Sequence, residues 1–234
     1  MLADLKETVW KANLELAKSG LIILTFGNVS GIDRRKGIVA IKPSGVDYDA
    51  MKADDIVLVD LEGNVVEGWL NPSSDTPTHV EIYKAFPQVG GVAHAHSPYA
   101  TMFAQARREI PCFGTTHADA FHGPVPVTRL LVESEVAASY EWNTGKVIVE
   151  RFAGLDPLTL PAVLVAGHGP FAWGPTPAAA VETALILELT AQMAFGSLAL
   201  DPRLPPLDAC IQDKHFSRKH GPDAYYGQKK ENES

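Results

Sequence analysis

The sequence predicts a single α/β domain in which helices cover a central, largely antiparallel or mixed β-sheet. Three observations carry this. Short runs with strand patterns, some alternating and some continuously apolar, are interleaved with helical periodicity along all 234 residues. No repeat, low-complexity segment or linker-like shift in composition divides the chain. The composition, 46% hydrophobic and 21% charged, supplies enough apolar material for one sizeable core.

The elements follow in order. Leu2, Leu5, Val9, Ala12 and Leu16 recur at helical spacing, with Gly20 placed as the stop. LIILTF reads as a buried strand. GNVSGIDRRKGIVAIKPSG reads as two short strands joined by a polar turn from Asp33 to Gly37, and DDIVLVDLEGNVVEG as a hairpin turning at EGN. In SSDTPTHVEIYKAF, Asp75 or Thr76 can cap a helix with Pro77 just inside. VGGVAHAH is a strand, SPYATMFAQAR a helix begun by Ser97 and Pro98, and IPCF a short strand. GTTHADAFHGPVPV is irregular. ESEVAASYEWN is helical. TGKVIVERF is open: its β-branched residues favour a strand, whereas Asn143 or Thr144 could cap a helix. PAVLVAGHGPFAWG is a strand ending in a glycine-rich turn, and TPAAAVETALILELTAQMAF is a long helix. DKHFSRKHGPDAYYGQKKENES is a charged segment running along the surface.

Charge and cysteine usage narrow the function. A net charge of −8 argues against nucleic acid as a partner, because neutralising phosphates needs a basic surface; a local pocket can still take a small anion. Cys112 and Cys210 have neither metal-type nor disulfide-type spacing, which fits a reduced, cytoplasmic setting. The first twenty residues alternate charged and apolar side chains and lack the apolar core of a signal peptide. ALILELTAQMAFGSLAL is interrupted by Glu188 and Gln192, so it reads as a core helix and not as a membrane span.

The chemistry centres on HAHS. Side chains alternate along a strand, so His94 and His96 share a face while Ala93 and Ala95 take the other. Two imidazoles so placed can meet on one ion, or can be ordinary core histidines. His168, between Gly167 and Gly169 at the end of an apolar strand, supplies a third. Three neutral imidazoles that leave a position open describe a catalytic zinc-type site, with Asp75 as the candidate carboxylate unless it merely caps its helix. KPSGVDY, PSSDTP and FGNVS gather hydroxyls and turn amides suited to phosphate: Lys42, Ser44 and Gly45, then Ser73 and Ser74 before a helix start, then Gly27 and Asn28, whose amide could donate. Asp119, with His117 and His122 nearby, is a candidate for proton transfer, although turn chemistry explains such residues as well. Tyr226 in AYYGQ is either an acid–base phenol or packing.

These motifs, from MLADLKETVWKANLELAKSGL through TFGNVSGIDR, IKPSGVDYDAM, PSSDTPTH, HAHS, GTTHAD, YEWNTGKVIVE and GHGPFAWG to DKHFSRKHGPDAYYGQ, resemble the L-ribulose-5-phosphate 4-epimerase family of the class II aldolase/adducin superfamily. The resemblance implies a zinc ion held by His94, His96 and His168 with Asp75 as the carboxylate ligand. It implies substrate and phosphate contacts from Gly27, Asn28, Ser44, Gly45, Ser73 and Ser74 with Lys42 close by, and Asp119 and Tyr226 as the acid–base pair. It further implies a sheet between helix layers, a helical TGKVIVERF, a domain over residues 1–228 with a polar tail over 229–234, and a homotetramer with active sites at subunit interfaces. Carbon 4 of a ketose phosphate bears no acidic hydrogen. Its inversion is therefore expected to proceed by breaking and remaking the bond between carbons 3 and 4, with a metal as Lewis acid. Two rivals remain: a sugar-phosphate aldolase that releases its fragments, and a non-catalytic metal-binding structural module. Aldolase relatives usually carry glutamate at the position of Asp75 and lack the AYYGQ ending. This chain departs from the family pattern at Ala120 and His122, where aromatics are common, so the pocket wall that selects the pentulose phosphate differs.

Overall fold

The computed structural model describes residues 2–221 and 224–227, so the polar tail expected over 229–234 lies outside it. Its centre is a seven-stranded sheet in the order β4-β3-β2-β1-β5-β7-β6, with β1 Gly27–Asp33, β2 Ile38–Ile41, β3 Val57–Val59, β4 Val65–Glu67, β5 Gly91–Ala95, β6 Ala162–Leu164 and β7 Pro170–Gly174. Every pairing is antiparallel. The helices are α1 Leu2–Lys18, α2 Thr76–Ala85, α3 Pro98–Ala106, α4 Thr115–Ala118, α5 Glu133–Arg151, α6 Pro177–Leu200 and α7 Ala209–His220.

The register of the central strands decides which face carries what. Asn28 lies opposite His94, which lies opposite Phe171; Ser30 lies opposite Val92, which lies opposite Trp173. Directly opposed residues share a face. That face meets α2 through the Ser30 Oγ bonds to His79 and Tyr83. It also meets the aromatic pair Phe86 and Phe152, which packs on Trp173. The other face presents Val29, Gly31, Gly91, Ala93, Ala172 and Gly174 to α1 and α6. The small residues let the helices come close: a Cβ on Gly91 would sit 2.5 Å from the Cα of Pro177. α6 is long and apolar enough by length and composition to cross a membrane. In this fold it buries Ala180, Val181, Ala184, Leu187, Ala191 and Ala194 against that face, as expected for a core helix.

Four sequence expectations are corrected or resolved here. LIILTF is not a strand. Ile23 and Phe26 form a single bridge across a turn, Leu24 takes φ +55° and is 79% exposed, and β1 begins only at Gly27. The apolar run builds a turn at the rim of the cleft described below, where the Phe26 ring lies 6.2 Å from that of His96. IPCF contributes one bridge, Ile110 to Val125. The charged C-terminal segment folds into α7 against α4. TGKVIVERF is helical. α5 crosses α2 so closely that a Cβ on Gly145 would lie 2.5 Å from Glu81 Cβ, and Val147 and Ile148 are buried along α5. Tertiary packing thus overrides the β-branched composition.

Candidate metal and substrate site

His94 sits near the end of β5, stacked on Phe171 with ring centroids 4.2 Å apart. Its Nδ1 lies 2.9 Å from the Pro170 carbonyl, which can only accept, so Nδ1 carries the hydrogen and Nε2 keeps a bare lone pair. That lone pair faces His96 Nε2 at 3.1 Å. His96 lies one residue beyond β5 yet keeps the alternation of the strand. His168 arrives from the tight turn between β6 and β7, closed by the Val165 N–H to the Gly169 carbonyl. The ligand atoms of the three imidazoles lie within 4.8 Å of one another.

Asp75 occupies the N-cap position of α2 but makes no side-chain cap bond. Its Oδ2 accepts from Asn28 Nδ2 at 2.7 Å and stands 4.0 Å from His94 Nε2. A hydrogen bond from His96 to His94 would satisfy those two nitrogens alone. It leaves His168 Nδ1 buried without a partner and the Asp75 carboxylate beside the cluster unexplained. A divalent cation fits the three imidazoles, with the Asp75 carboxylate beside them. Two nitrogens on a tetrahedral ion with bonds of about 2.0–2.1 Å lie roughly 3.3 Å apart, close to the spacing seen.

The electrostatics agree with such a donor set. Burial pushes His96 below the usual imidazole range and His168 down to about 4, with His94 adding to both effects. Both are therefore neutral at pH 7, as a ligand must be. Burial alone would raise the Asp75 carboxyl, but His94, His79 and the Asn28 hydrogen bond outweigh it and hold it below the ordinary carboxylate range. Three buried imidazoles, His79 held down to about 3 and His117 and His168 to about 4, carry a stability consequence. Between pH 6.5 and 4 the unfolded chain binds protons that the folded chain refuses, so stability falls as pH falls through that window. Metal-free protein should lose on the order of several kcal/mol between pH 7 and pH 4, read from the urea midpoint. A midpoint unchanged at pH 5 would contradict the burial of neutral imidazoles.

The same cleft, about 440 Å³, continues from the imidazoles to a polar end lined by Gly27, Asn28, Lys42, Ser44, Gly45, Ser73 and Ser74. The N–H groups of Ser44 and Ser73 are engaged by the carbonyls of Asn71 and Lys42. Both hydrogens of Asn28 Nδ2 go to Ser73 Oγ and Asp75, so Asn28 does not offer the free donor anticipated from the sequence; its Oδ1 is the atom left without a partner. The serine hydroxyls and Lys42 remain as donors. Lys42 is buried, with Nζ 2.7 Å from the Val46 carbonyl, and burial lowers it to about 8 against the opposing pull of Asp47. Lys42→Met should raise KM for a phosphorylated substrate about 10- to 100-fold with little change in kcat. In the wild type KM should climb as pH rises through about 8, where the free ammonium loses its proton. A KM within about twofold of wild type would exclude Lys42 from phosphate binding.

All the anticipated metal and phosphate residues therefore line one cleft. Asp119 and Tyr226 do not line it. Asp119, at the C-terminal end of α4, is clamped by α7: Arg218 Nε and Nη2 donate at 2.9 and 2.6 Å, and His215 Nδ1 at 3.0 Å. Tyr226 covers the same guanidinium at 5.1 Å. The cleft also holds Tyr140 and Glu141, which the sequence reading left as plain helix. A break in helical geometry at Ser139 and the Thr78 Oγ1 bond to the Glu141 carbonyl place them there, and neither is visible in the local pattern.

Residues 7–195 match the family described as the class II aldolase and adducin N-terminal domain. The chain belongs to this family. Among solved structures, this class II aldolase-family chain is similar to an L-fuculose 1-phosphate aldolase, with 28% identity, TM-score 0.77, and 92% of this chain and 95% of that one covered. It is also similar to YgbL from Klebsiella pneumoniae, with 25% identity, TM-score 0.70 and coverage of 90% and 97%. L-fuculose 1-phosphate aldolase from Glaciozyma antarctica PI12, at 22% identity, shares the fold with TM-score 0.76 and coverage of 95% and 84%. The family match agrees with the seven-stranded antiparallel sheet, the cleft and its histidine cluster as parts of one class II aldolase-type domain.

Proposed function

We propose that this class II aldolase-family domain is a zinc-dependent L-ribulose-5-phosphate 4-epimerase. In this reading it interconverts L-ribulose 5-phosphate and D-xylulose 5-phosphate, and works as a homotetramer with its sites between neighbouring copies. The observation that carries this reading is the cluster that α7 and the segment after it build on Asp119, with Tyr226 over Arg218. It is a second polar centre, separate from the cleft of its own chain, and it pairs a carboxylate with a phenol. Aldol cleavage alone needs proton transfer on one side of the aldehyde. Epimerisation needs it on both, and a neighbouring copy that brings Asp119 and Tyr226 to the cleft supplies both.

A divalent ion held by His94, His96 and His168, with Asp75 beside them, would supply Lewis acidity to the ketose oxygens and stabilise the charge that develops as the bond between carbons 3 and 4 breaks. The chain's own residues do the rest. Lys42, Ser44 and Ser74 grip the phosphate, so that the cleaved aldehyde stays in the cleft and can turn. Asn28 holds the Asp75 carboxylate toward the imidazoles. Asp119 and Tyr226 manage the proton on the oxygen of carbon 4.

A sugar-phosphate aldolase is the second reading, favoured by the likeness to the L-fuculose 1-phosphate aldolase. One assay separates them. The zinc-loaded protein given L-ribulose 5-phosphate should form D-xylulose 5-phosphate. Net accumulation of glycolaldehyde phosphate and dihydroxyacetone would overturn the epimerase reading in favour of the aldolase.

A further inference from the structure

Tyr48, the last residue of KPSGVDY, does not line the cleft. It is buried in a small apolar cluster with Val9, Ala40, Met51, Ile56 and Leu58, which fixes its ring from behind. Its hydroxyl donates to the Gly27 carbonyl at 2.7 Å. Burial pushes the phenol above its usual value, so the group stays a donor near neutral pH. Gly27 begins β1 and lines the cleft, so this bond ties the ring to the cleft wall.

Over that ring stands the Lys42 ammonium, with Nζ 4.7 Å from the centroid. An ammonium has three hydrogens. Two go to neutral acceptors, the Val46 carbonyl at 2.7 Å and the Pro43 carbonyl at 3.2 Å. Gly45, at φ +67°, makes the turn that brings Val46 back to Lys42. Among the described residues no carboxylate forms an ion pair with Lys42; Asp47 attracts it without pairing. A buried cation in such a place is held by carbonyl dipoles and by the negative face of an aromatic ring. One hydrogen is left over, and Lys42 lines the cleft, so that hydrogen is the one a phosphate can use.

We propose that Tyr48 is a positioning residue for phosphate: its ring seats the Lys42 ammonium, and its hydroxyl fixes that ring to the Gly27 edge of the cleft. The inference rests on Lys42 gripping the phosphate, as in the function proposed above. A lysine free to rotate would lose that freedom on meeting its ligand, whereas one already seated does not. Tyr48 touches no reacting atom. It therefore acts on binding through Lys42 and leaves the chemical step alone.

The test is a double-mutant cycle between the two residues. Its readouts are KM for L-ribulose 5-phosphate and, independent of turnover, the Kd for inorganic phosphate. Tyr48→Phe keeps the ring and should stay within about threefold of wild type in both. Tyr48→Leu removes the ring and should raise both about 5- to 30-fold, with kcat within about threefold. In a Lys42→Met background the same Tyr48→Leu change should add less than about twofold, whereas a merely structural tyrosine would add its full effect again. Should Tyr48→Leu fail to fold, Tyr48→pentafluorophenylalanine keeps the ring's shape and removes its negative face. Its KM should exceed that of Tyr48→Phe at least about threefold. Tyr48→Leu within twofold of wild type, equal losses in Tyr48→Phe and Tyr48→Leu, an undiminished effect in the Lys42→Met background, or a fluorinated ring that matches Tyr48→Phe would each overturn the assignment. Lys42→Met with unchanged KM and unchanged phosphate Kd would instead sink the phosphate grip, and this inference with it.

Discussion

Replacing His94 with alanine should empty the metal site and lower turnover roughly 10³-fold or more, because several kcal/mol of Lewis-acid stabilisation are lost together. The expectation rests on the position of His94 in the cluster. Its ring is within 5 Å of both other imidazole rings, its Nε2 faces His96, and Asp75 approaches that same nitrogen. No described neighbour can replace it, since the flanking strand positions are Ala93 and Ala95 on the opposite face. The fold should survive, because the Pro170 carbonyl that His94 satisfies lies beside a site that admits water. Bound-metal analysis and kcat on the same sample check the prediction. A variant that is demonstrably metal-free and still turns over at the wild-type rate would remove the cluster from the chemistry.

Tyr226→Phe should do the opposite: metal content unchanged, kcat down about 10²- to 10⁴-fold. The phenol is 62% exposed and stands over Arg218, away from the cleft of its own chain, so removing its oxygen disturbs no core packing. Mixing this variant with His94→Ala provides a sharper measurement. If each site joins the metal half of one copy to the α7 half of another, random reassembly gives about a quarter of the sites both intact halves. Two nearly inactive preparations should then recover about a quarter of wild-type activity after subunit exchange. No recovery despite proven exchange would show that the two halves act within one copy.

Much of the cleft was legible in the sequence for definite reasons. The alternation of a strand forces His94 and His96 onto one side, and the same alternation leaves the small face that α6 covers. The glycines around His168 announced a turn that brings backbone and imidazole to a ligand. Asp75 could be read as a cap or as a ligand; the structure gives it the cap position and turns its carboxylate to Asn28. What stayed hidden depends on contacts distant in sequence. Residues 21–26 are apolar enough for a strand, and only their place at the cleft rim makes them a turn. Tyr140 and Glu141 reach the cleft because α5 crosses α2 at Gly145. α7 reads as a charged tail because its partner, Asp119, lies about a hundred residues earlier.

One small feature, the amide of Asn28, joins the two ends of the cleft. It sits on β1 directly opposite His94 and holds Ser73 with one hydrogen and Asp75 with the other. The serine end of the cleft and the carboxylate beside the imidazoles are thus pinned to each other by one side chain, which the register of β1 and β5 holds opposite His94. Ser73 and Asp75 stand on the loop that leads into α2, and a strand residue fixes that loop. On the function proposed above, the cleft would gauge the span between a phosphate and a chelating pair of oxygens. On that reading, a ligand of the wrong length would meet one end only.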